Sequence, residues 1–337
     1  MEPLYPHPKG YVCYRATHPP ALDGTVDSIP WHSAPWSDLF IDIEGDAKPT
    51  PRFETRMKML WDDKYLYVGA DMAEPHIWGT LTKRDSVIFH DNDFEIFIDP
   101  DGDNHQYYEI ELNALNTVWD LRLVKPYRDG GPALNEWDIP GLRSAVWIDG
   151  TLNDPSDVDR RWRCEMAIPW ESLGEFANRP APPHPGEQWR INFSRVEWDI
   201  EIAEGRYIKV PGRPEHNWVW SPQGVIDMHR PERWGYVQFS DAEPGTDEWV
   251  PDPSHAVRTH AMDLYYRQRD FHGRHKRFAG SAQELGMTIE EVFIELTAEG
   301  YRATIQDHEG GYVAKIDQHS RLWTTPFVRT AATAVRP

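Results

Sequence analysis

A chain of 337 residues with 39% hydrophobic content is long enough to bury a large core, as one big domain with a smaller companion or as two of similar size. Its 55 Asp and Glu against 35 Lys and Arg give a formal charge of -20, which argues against a nucleic-acid backbone or an anionic membrane as partner and leaves cations and neutral polar ligands. Two cysteines, Cys13 and Cys164, supply neither a disulfide framework nor a cysteine zinc site, and whether they pair is left open.

The opening MEPLYPHPKGY has no basic or apolar leader pattern, and no run of about 18 apolar residues suited to crossing a bilayer follows. The expectation is a chain without a membrane span, extracytoplasmic if a leader was removed and cytoplasmic otherwise. TRMKMLW (55–61) and YLYVGADM (65–72) alternate in hydropathy around the turn DDK, which predicts a hairpin. FEIFID, YYEIELN, TVWDLRL, RSAVWI, RRWRCEMAI, WRINFSRVEW, GRYIKV and WGYVQF continue the pattern. With no long helical periodicity before residue 241, they predict an antiparallel β-sandwich over residues 1–240. PWESLGEFA reads as one short helix, started near Pro169.

DAEPGTDEWVPDPS marks a linker, residues 241–253. Beyond Ser254, a candidate N-cap, SHAVRTHAMDLYYRQRDFHG has helical spacing and SAQELG suggests a further short helix. VFIELT, YRATIQD and YVAKID read as strands, so residues 254–325 form a small α+β domain before a tail at 326–337. The fold class is thus mainly β, with that α+β unit appended.

The densest chemistry lies in DNDFEIFIDPDGDNHQYYEIELN, residues 91–113. Strand alternation places Phe94, Ile96 and Ile98 opposite Glu95 and Asp99, and Tyr108, Ile110 and Leu112 opposite Glu109, Glu111 and Asn113. Pairing the oily faces sets Ile98 against Tyr108, Ile96 against Ile110 and Phe94 against Leu112. Glu95 then faces Glu111 at about 5 Å between Cβ atoms, where like charges destabilise a sheet unless compensated. Arg56 and Lys58, if their strand joins that sheet, would complete a polar floor able to hydrogen-bond vicinal sugar hydroxyls. A plain solvated sheet face is the alternative. In the connecting turn, Asp99, Asp101 and Asp103 around Gly102 offer hard oxygen ligands suited to Ca²⁺, although the EF-hand pattern is incomplete and an ordinary Asp-Gly turn is the alternative.

LDGTVDSIPW (22–31), MLWDDKYLYVGADM (59–72), NDFEIFIDP (92–100), CEMAIPWESL (164–173), WRINFSR (189–195), WSP (220–222) and WGYVQF (234–239) together resemble family 9 carbohydrate-binding modules across residues 12–240. The resemblance implies a β-sandwich with structural calcium that binds sugars and accompanies secreted glycoside hydrolases in polysaccharide breakdown. It puts the family's ligand-binding Glu on Glu95. The chain departs from the family where a stacking Trp falls on Met228 and a strand Arg on Glu109, while the other stacking aromatic falls on Trp78 or Phe89. Trp218 is a candidate substitute, against the commoner fate of burial.

These departures bring a second expectation, a glycoside hydrolase or lyase using Glu109 and Glu111 as catalytic carboxylates. The ligand-binding candidates are Glu95, Arg56, Lys58, Trp78, Asn113, Arg195, Glu197 and Trp218. The third reading is an assembly protein that docks a protein partner through its C-terminal domain. Serine-nucleophile, zincin and phosphate-loop motifs are absent from the sequence.

Overall fold

The structure is a computed structural model describing residues 1–289 and 291–327. It divides into two compact units, one of Pro8–Val250 and one that joins residues 1–7 to the described residues from Pro251 onward.

The larger unit contains β1 (Gly10–Arg15), β2 (Ile41–Asp42), β3 (Thr55–Trp61), β4 (Tyr65–Ala73), β5 (Asp93–Asp99), β6 (Tyr107–Asn113), β7 (Val118–Leu123) and β8 (Ala133–Leu134). After these come β9 (Arg143–Asp149), β10 (Arg161–Pro169), the short helix α1 (Trp170–Gly174), β11 (Gln188–Glu197), β12 (Ile200–Ala203), β13 (Arg206–Lys209), β14 (His216–Val219) and β15 (Gly235–Ser240). Apart from the small β12–β13 hairpin, all belong to one 13-stranded sheet ordered β8-β7-β6-β5-β11-β15-β1-β3-β4-β10-β9, with β14 pairing β11 and β2.

The sheet curls so that its two halves close on one core, as the layers of a sandwich do. Phe94, Ile96, Ile98, Tyr108, Ile110 and Leu112 from one half meet Met57, Met59, Trp61, Leu66, Val68 and Met166 from the other. The mainly β, sandwich-like expectation holds in this form. It needs correction at the seam, because β1 pairs in parallel with both β15 and β3, so the sheet is continuous and not wholly antiparallel. The tryptophan wealth goes largely into the core: Trp61, Trp162, Trp170, Trp189, Trp218 and Trp220 are all buried there. Cys13 and Cys164 are buried free thiols and do not pair.

Asp62 builds the predicted DDK turn by accepting the amides of Lys64 and Tyr65 at 2.7 and 2.9 Å. Pro169 stands at the N-cap of α1, where its missing N–H costs nothing.

In the smaller unit, α2 (His255–His275) accompanies a four-stranded sheet of β16 (Val292–Leu296), β17 (Tyr301–Asp307), β18 (Tyr312–Asp317) and β19 (Leu322–Pro326). Val257, Ala261, Leu264 and Tyr265 share its core with Tyr301, Ala303, Ile305, Ala314 and Ile316. Ser254 occupies the N-cap of α2, but its hydroxyl donates to Asp252 at 2.7 Å instead of capping the helix. SAQELG forms turns, not a helix. The predicted tail lies outside the described residues from position 328 on. No helix among the described residues is long and apolar enough to cross a membrane.

Candidate functional site

The acidic hairpin has the register that hydropathy alternation predicts. Ile98 pairs with Tyr108, Ile96 with Ile110, Phe94 with Leu112, and Glu95 directly with Glu111. Their oily partners face the core, so Glu95, Phe97, Glu109 and Glu111 emerge together on the outer side of β5 and β6. The β6–β7 register sets Trp119 beside Glu111, and the β11–β14 register sets Asn217 beside Val196.

This outer side is not a flat solvated surface. Glu95, Phe97, Glu109, Glu111, Trp119 and Val196 floor a cavity of about 380 Å³, with Phe89, Tyr127, Glu215, Asn217, Met228 and His229 as its walls. Glu95 and Glu109 are each 5% exposed and Glu111 1%, whereas Tyr127 at the rim is 51% exposed. The volume falls near the lower end of the range of roughly 300–1,000 Å³ found for small-molecule sites.

Burial dominates the electrostatics. It pushes the Glu95 carboxyl up to about 7, with the Glu215 charge adding to the rise while Ser194 opposes it. Glu109 and Glu111 are driven well above the usual carboxylate range, first by burial and then by the Glu95 charge. Asp93, next along the same face, behaves alike, and oxygens of Asp93, Glu95 and Glu111 lie within 4.8 Å of one another. His229 brings no positive charge to offset them, because burial and then Arg128 hold its imidazole down to about 3. Its Nδ1 is 2.9 Å from the Tyr107 hydroxyl, and the Tyr127 ring packs edge-on against it.

Glu111 accepts the Phe89 amide at 2.9 Å. By contrast, Glu109 Oε2, Asp93 Oδ2 and Trp119 Nε1 are buried with no partner among the described residues. Two of these belong to cavity-lining residues, where an unanswered acceptor and an unanswered donor favour a polar ligand.

Several sequence candidates sit elsewhere. Arg56 and Lys58 do not complete the floor: the curl carries β3 into the opposite half, where Met57 and Met59 turn inward and the two cations turn to the other face, Lys58 buried there. Arg56 binds Asp71 at 3.1 Å, and Lys58 donates to the Trp31 carbonyl at 3.0 Å. Arg195 and Glu197 have the opposite parity to Glu95, since Arg195 pairs with Phe94, a core residue. Arg195 is completely buried and donates to Glu74 and Glu197 at 2.7 and 2.9 Å, so this pair braces the sandwich interior. Trp218 lies in the core against Phe53. Asn113 is occupied in a turn, donating to Leu81 and Asp91 while accepting the amides of Leu115 and Thr117. Trp78 is buried and does not line the cavity, whereas Phe89 does.

Strand alternation puts Phe97 on the acidic face without naming it for the site, and sequence reasoning missed Trp119, Tyr127, Glu215, Asn217 and His229. The strand alternation extended across the β6–β7 pair would have found Trp119. The loop residues carry no local signal.

In the turn after β5, Asp99 accepts the amides of Gly102 and Asn104, both at 2.9 Å, and Asp103 accepts that of His105 at 2.8 Å. Gly102 adopts φ 68°, which favours glycine at that point. Oxygens of Asp99, Asp101 and Asp103 converge within 4.8 Å. Burial, followed by the charges of Asp101 and Asp103, pushes the Asp99 carboxyl well up.

Comparison with known proteins bears out the resemblance over a narrower stretch: residues 22–183 match the family described as carbohydrate family 9 binding domain-like. Endo-1,4-beta-xylanase A of Thermoanaerobacterium saccharolyticum is 28% identical over 154 residues, which is 46% of this chain and 11% of that protein. Exoglucanase XynX of Acetivibrio thermocellus is 27% identical over 154 residues, covering 46% of this chain and 12% of that protein. The chain therefore matches only about a ninth of the length of these relatives. Among solved structures, a protein from Bacteroides uniformis ATCC 8492 superposes with a TM-score of 0.51 at 15% identity, covering 69% of this chain and all of the other, which shows a shared fold.

Proposed function

With the carbohydrate family 9 match over residues 22–183 as premise, we propose that the chain binds a saccharide in the cavity above β5, β6 and β7, in the recognition or breakdown of polysaccharide. The observation that carries this reading is the acid-floored cavity with the unanswered Glu109 Oε2 and Trp119 Nε1. Carboxylates accept hydrogen bonds from sugar hydroxyls more strongly than neutral groups do, and the indole N–H answers a ring or hydroxyl oxygen. Phe89, Phe97 and Tyr127 offer apolar surface to the C–H faces of a pyranose.

Calorimetric titration against a broad saccharide panel tests the proposal. Binding by the wild type, lost in Glu95→Gln with the circular dichroism spectrum intact, supports it; a protein that binds no saccharide overturns it. Release of products from an oligosaccharide, abolished by Glu109→Gln or Glu111→Gln, would instead establish the hydrolase or lyase reading.

Asp99, Asp101 and Asp103 support Ca²⁺ as a structural ligand of the β5–β6 turn, since their donors are all hard oxygens and they approach one another closely. Ca²⁺ should raise the midpoint of thermal unfolding, and chelation should reverse the rise. Asp101→Asn should respond less. An unchanged midpoint in all three conditions would exclude this role.

A further inference from the structure

Three other acid clusters in the same unit each hold a guanidinium. Asp71 is met by Arg56, Arg161 and Arg163. Glu74 and Glu197 share Arg195, with Arg52 also on Glu197. Asp120 is met by Arg84. Asp99 in the β5–β6 turn accepts backbone amides instead. The cavity above β5 and β6 has no such guanidinium either: Glu95, Glu109, Glu111 and Glu215 line it, Asp93 adjoins them, and among the described residues none lining it is a lysine or arginine, while Lys209, which feels the Glu215 charge, packs on Trp198. Arg128, which donates to the His229 carbonyl at 3.1 Å, answers Glu232 at 2.9 Å.

We infer that the cation absent from this cluster is brought by the ligand, and that the cavity selects saccharides bearing a free, protonated amino group over neutral and acidic sugars. This rests on the saccharide reading above and specifies its substrate class. A hydroxyl donates one hydrogen and carries no charge, so a neutral sugar leaves the buried acids facing one another. An ammonium offers three donors and one positive charge, and it answers Glu109 Oε2 together with a neighbouring carboxylate.

The apolar walls agree. Phe97, Trp119, Tyr127 and Phe89 present aromatic rings around the acids, a setting that attracts organic ammonium groups. A bare metal ion would leave most of the roughly 380 Å³ unfilled and the Trp119 N–H unanswered, since a cation accepts no hydrogen bond. A uronic acid brings no cation and adds one more carboxyl to a group of acids whose burial and crowding already raise Glu95, Glu109 and Glu111.

The test is calorimetric titration of the full chain, at neutral pH and fixed ionic strength, with the β-1,4 disaccharide of glucosamine, its N-acetylated counterpart, cellobiose and a diuronic acid. The free-amine disaccharide should bind at least about tenfold more tightly than cellobiose or the acetylated form, and the diuronic acid should not bind. Glu109→Gln should bring the ratio of free-amine to cellobiose affinity close to one, with the circular dichroism spectrum intact, and an unchanged ratio would overturn the inference.

Cellobiose or the acetylated disaccharide binding as tightly as the amine would overturn the inference and leave the saccharide reading intact. No binding of any sugar would overturn both. Ca²⁺ or Mg²⁺ alone binding in the wild type, lost in Glu109→Gln and blocking the amine in competition, would assign the carboxylates to a metal and also overturn it.

Discussion

On the outer side of β3, β4 and β10, Asp71 sits among three guanidinium groups, at 3.1 Å from Arg56, 2.8 Å from Arg161 and 3.1 Å from Arg163. On the outer side of β5 and β6, in the other half of the same sheet, Glu95 faces Glu111 with no cation among the residues lining the cavity. Both regions have an inward apolar and outward polar alternation, and both bury their acids. The contrast lies in whether the protein supplies the compensating groups. Where it does, the Asp71 carboxyl falls below its ordinary range, although burial opposes Arg163, Arg161 and Arg56. Burial lifts Glu74, Asp120 and Glu165 in spite of their partners, so what sets Glu95, Glu109 and Glu111 apart is that they rise with no cation beside them and remain available to something else.

Glu165 belongs with the compensated region and gives the largest expected effect. Its carboxylate accepts the amides of Asp23, Gly24 and Val26 at 3.0, 3.1 and 2.8 Å, and Trp31 Nε1 at 2.9 Å. Glu165→Ala strips four donors of their acceptor and should destabilise the larger unit by roughly 3 kcal/mol or more, measured by denaturant unfolding. Asp71→Asn should cost less, about 1–3 kcal/mol, because its arginines are partly solvated.

The uncompensated region should respond in the opposite direction. Glu111→Gln keeps an acceptor for the Phe89 amide and removes one of the crowded acids. The free protein should gain about 1 kcal/mol at pH 8 while its affinity for saccharide falls. A loss of stability comparable to Asp71→Asn would erase the distinction between the two regions.

The pH dependence is a smaller effect, and its sign follows from the Glu95 carboxyl, raised from an ordinary value near 4.5 to about 7 by burial first. Between those values the folded state holds a proton that the unfolded chain has released. This contribution to stability is therefore present below about pH 4.5 and is lost as pH rises through about 7. Asp71 acts oppositely: its stabilisation is present above its ordinary carboxylate value and disappears on acidification. The melting midpoint of the unliganded wild type should fall by a few degrees between pH 5 and pH 8, and Glu95→Gln should flatten that slope.

The faces of β5 and β6 were legible because a one-residue slip would turn the core side chains outward, and the simplest of the pairings that keep these faces sets Glu95 against Glu111. Arg195 and Glu197 were also readable in principle: Trp189, Ile191 and Phe193 turn inward, so residues of the same parity follow them. The misplacement of Arg56 and Lys58 has a different origin. Strand patterns say which face a residue takes, not which half of a curled sheet its strand joins, and the parallel seam at β1 has no local marker. Tyr127, Glu215 and His229 reach the cavity from outside the regular strands, where hydropathy carries no period to read.

A crystal structure of the full chain soaked with a mixture of neutral and amine-bearing disaccharides tests the central claim most directly. The account predicts sugar density bounded by Glu95, Glu109 and Glu111, with a ligand oxygen within hydrogen-bond distance of Trp119 Nε1. Sugar seated instead in a second cavity, of about 590 Å³ beside Trp36 and Trp249, with only water above the acids, would contradict it.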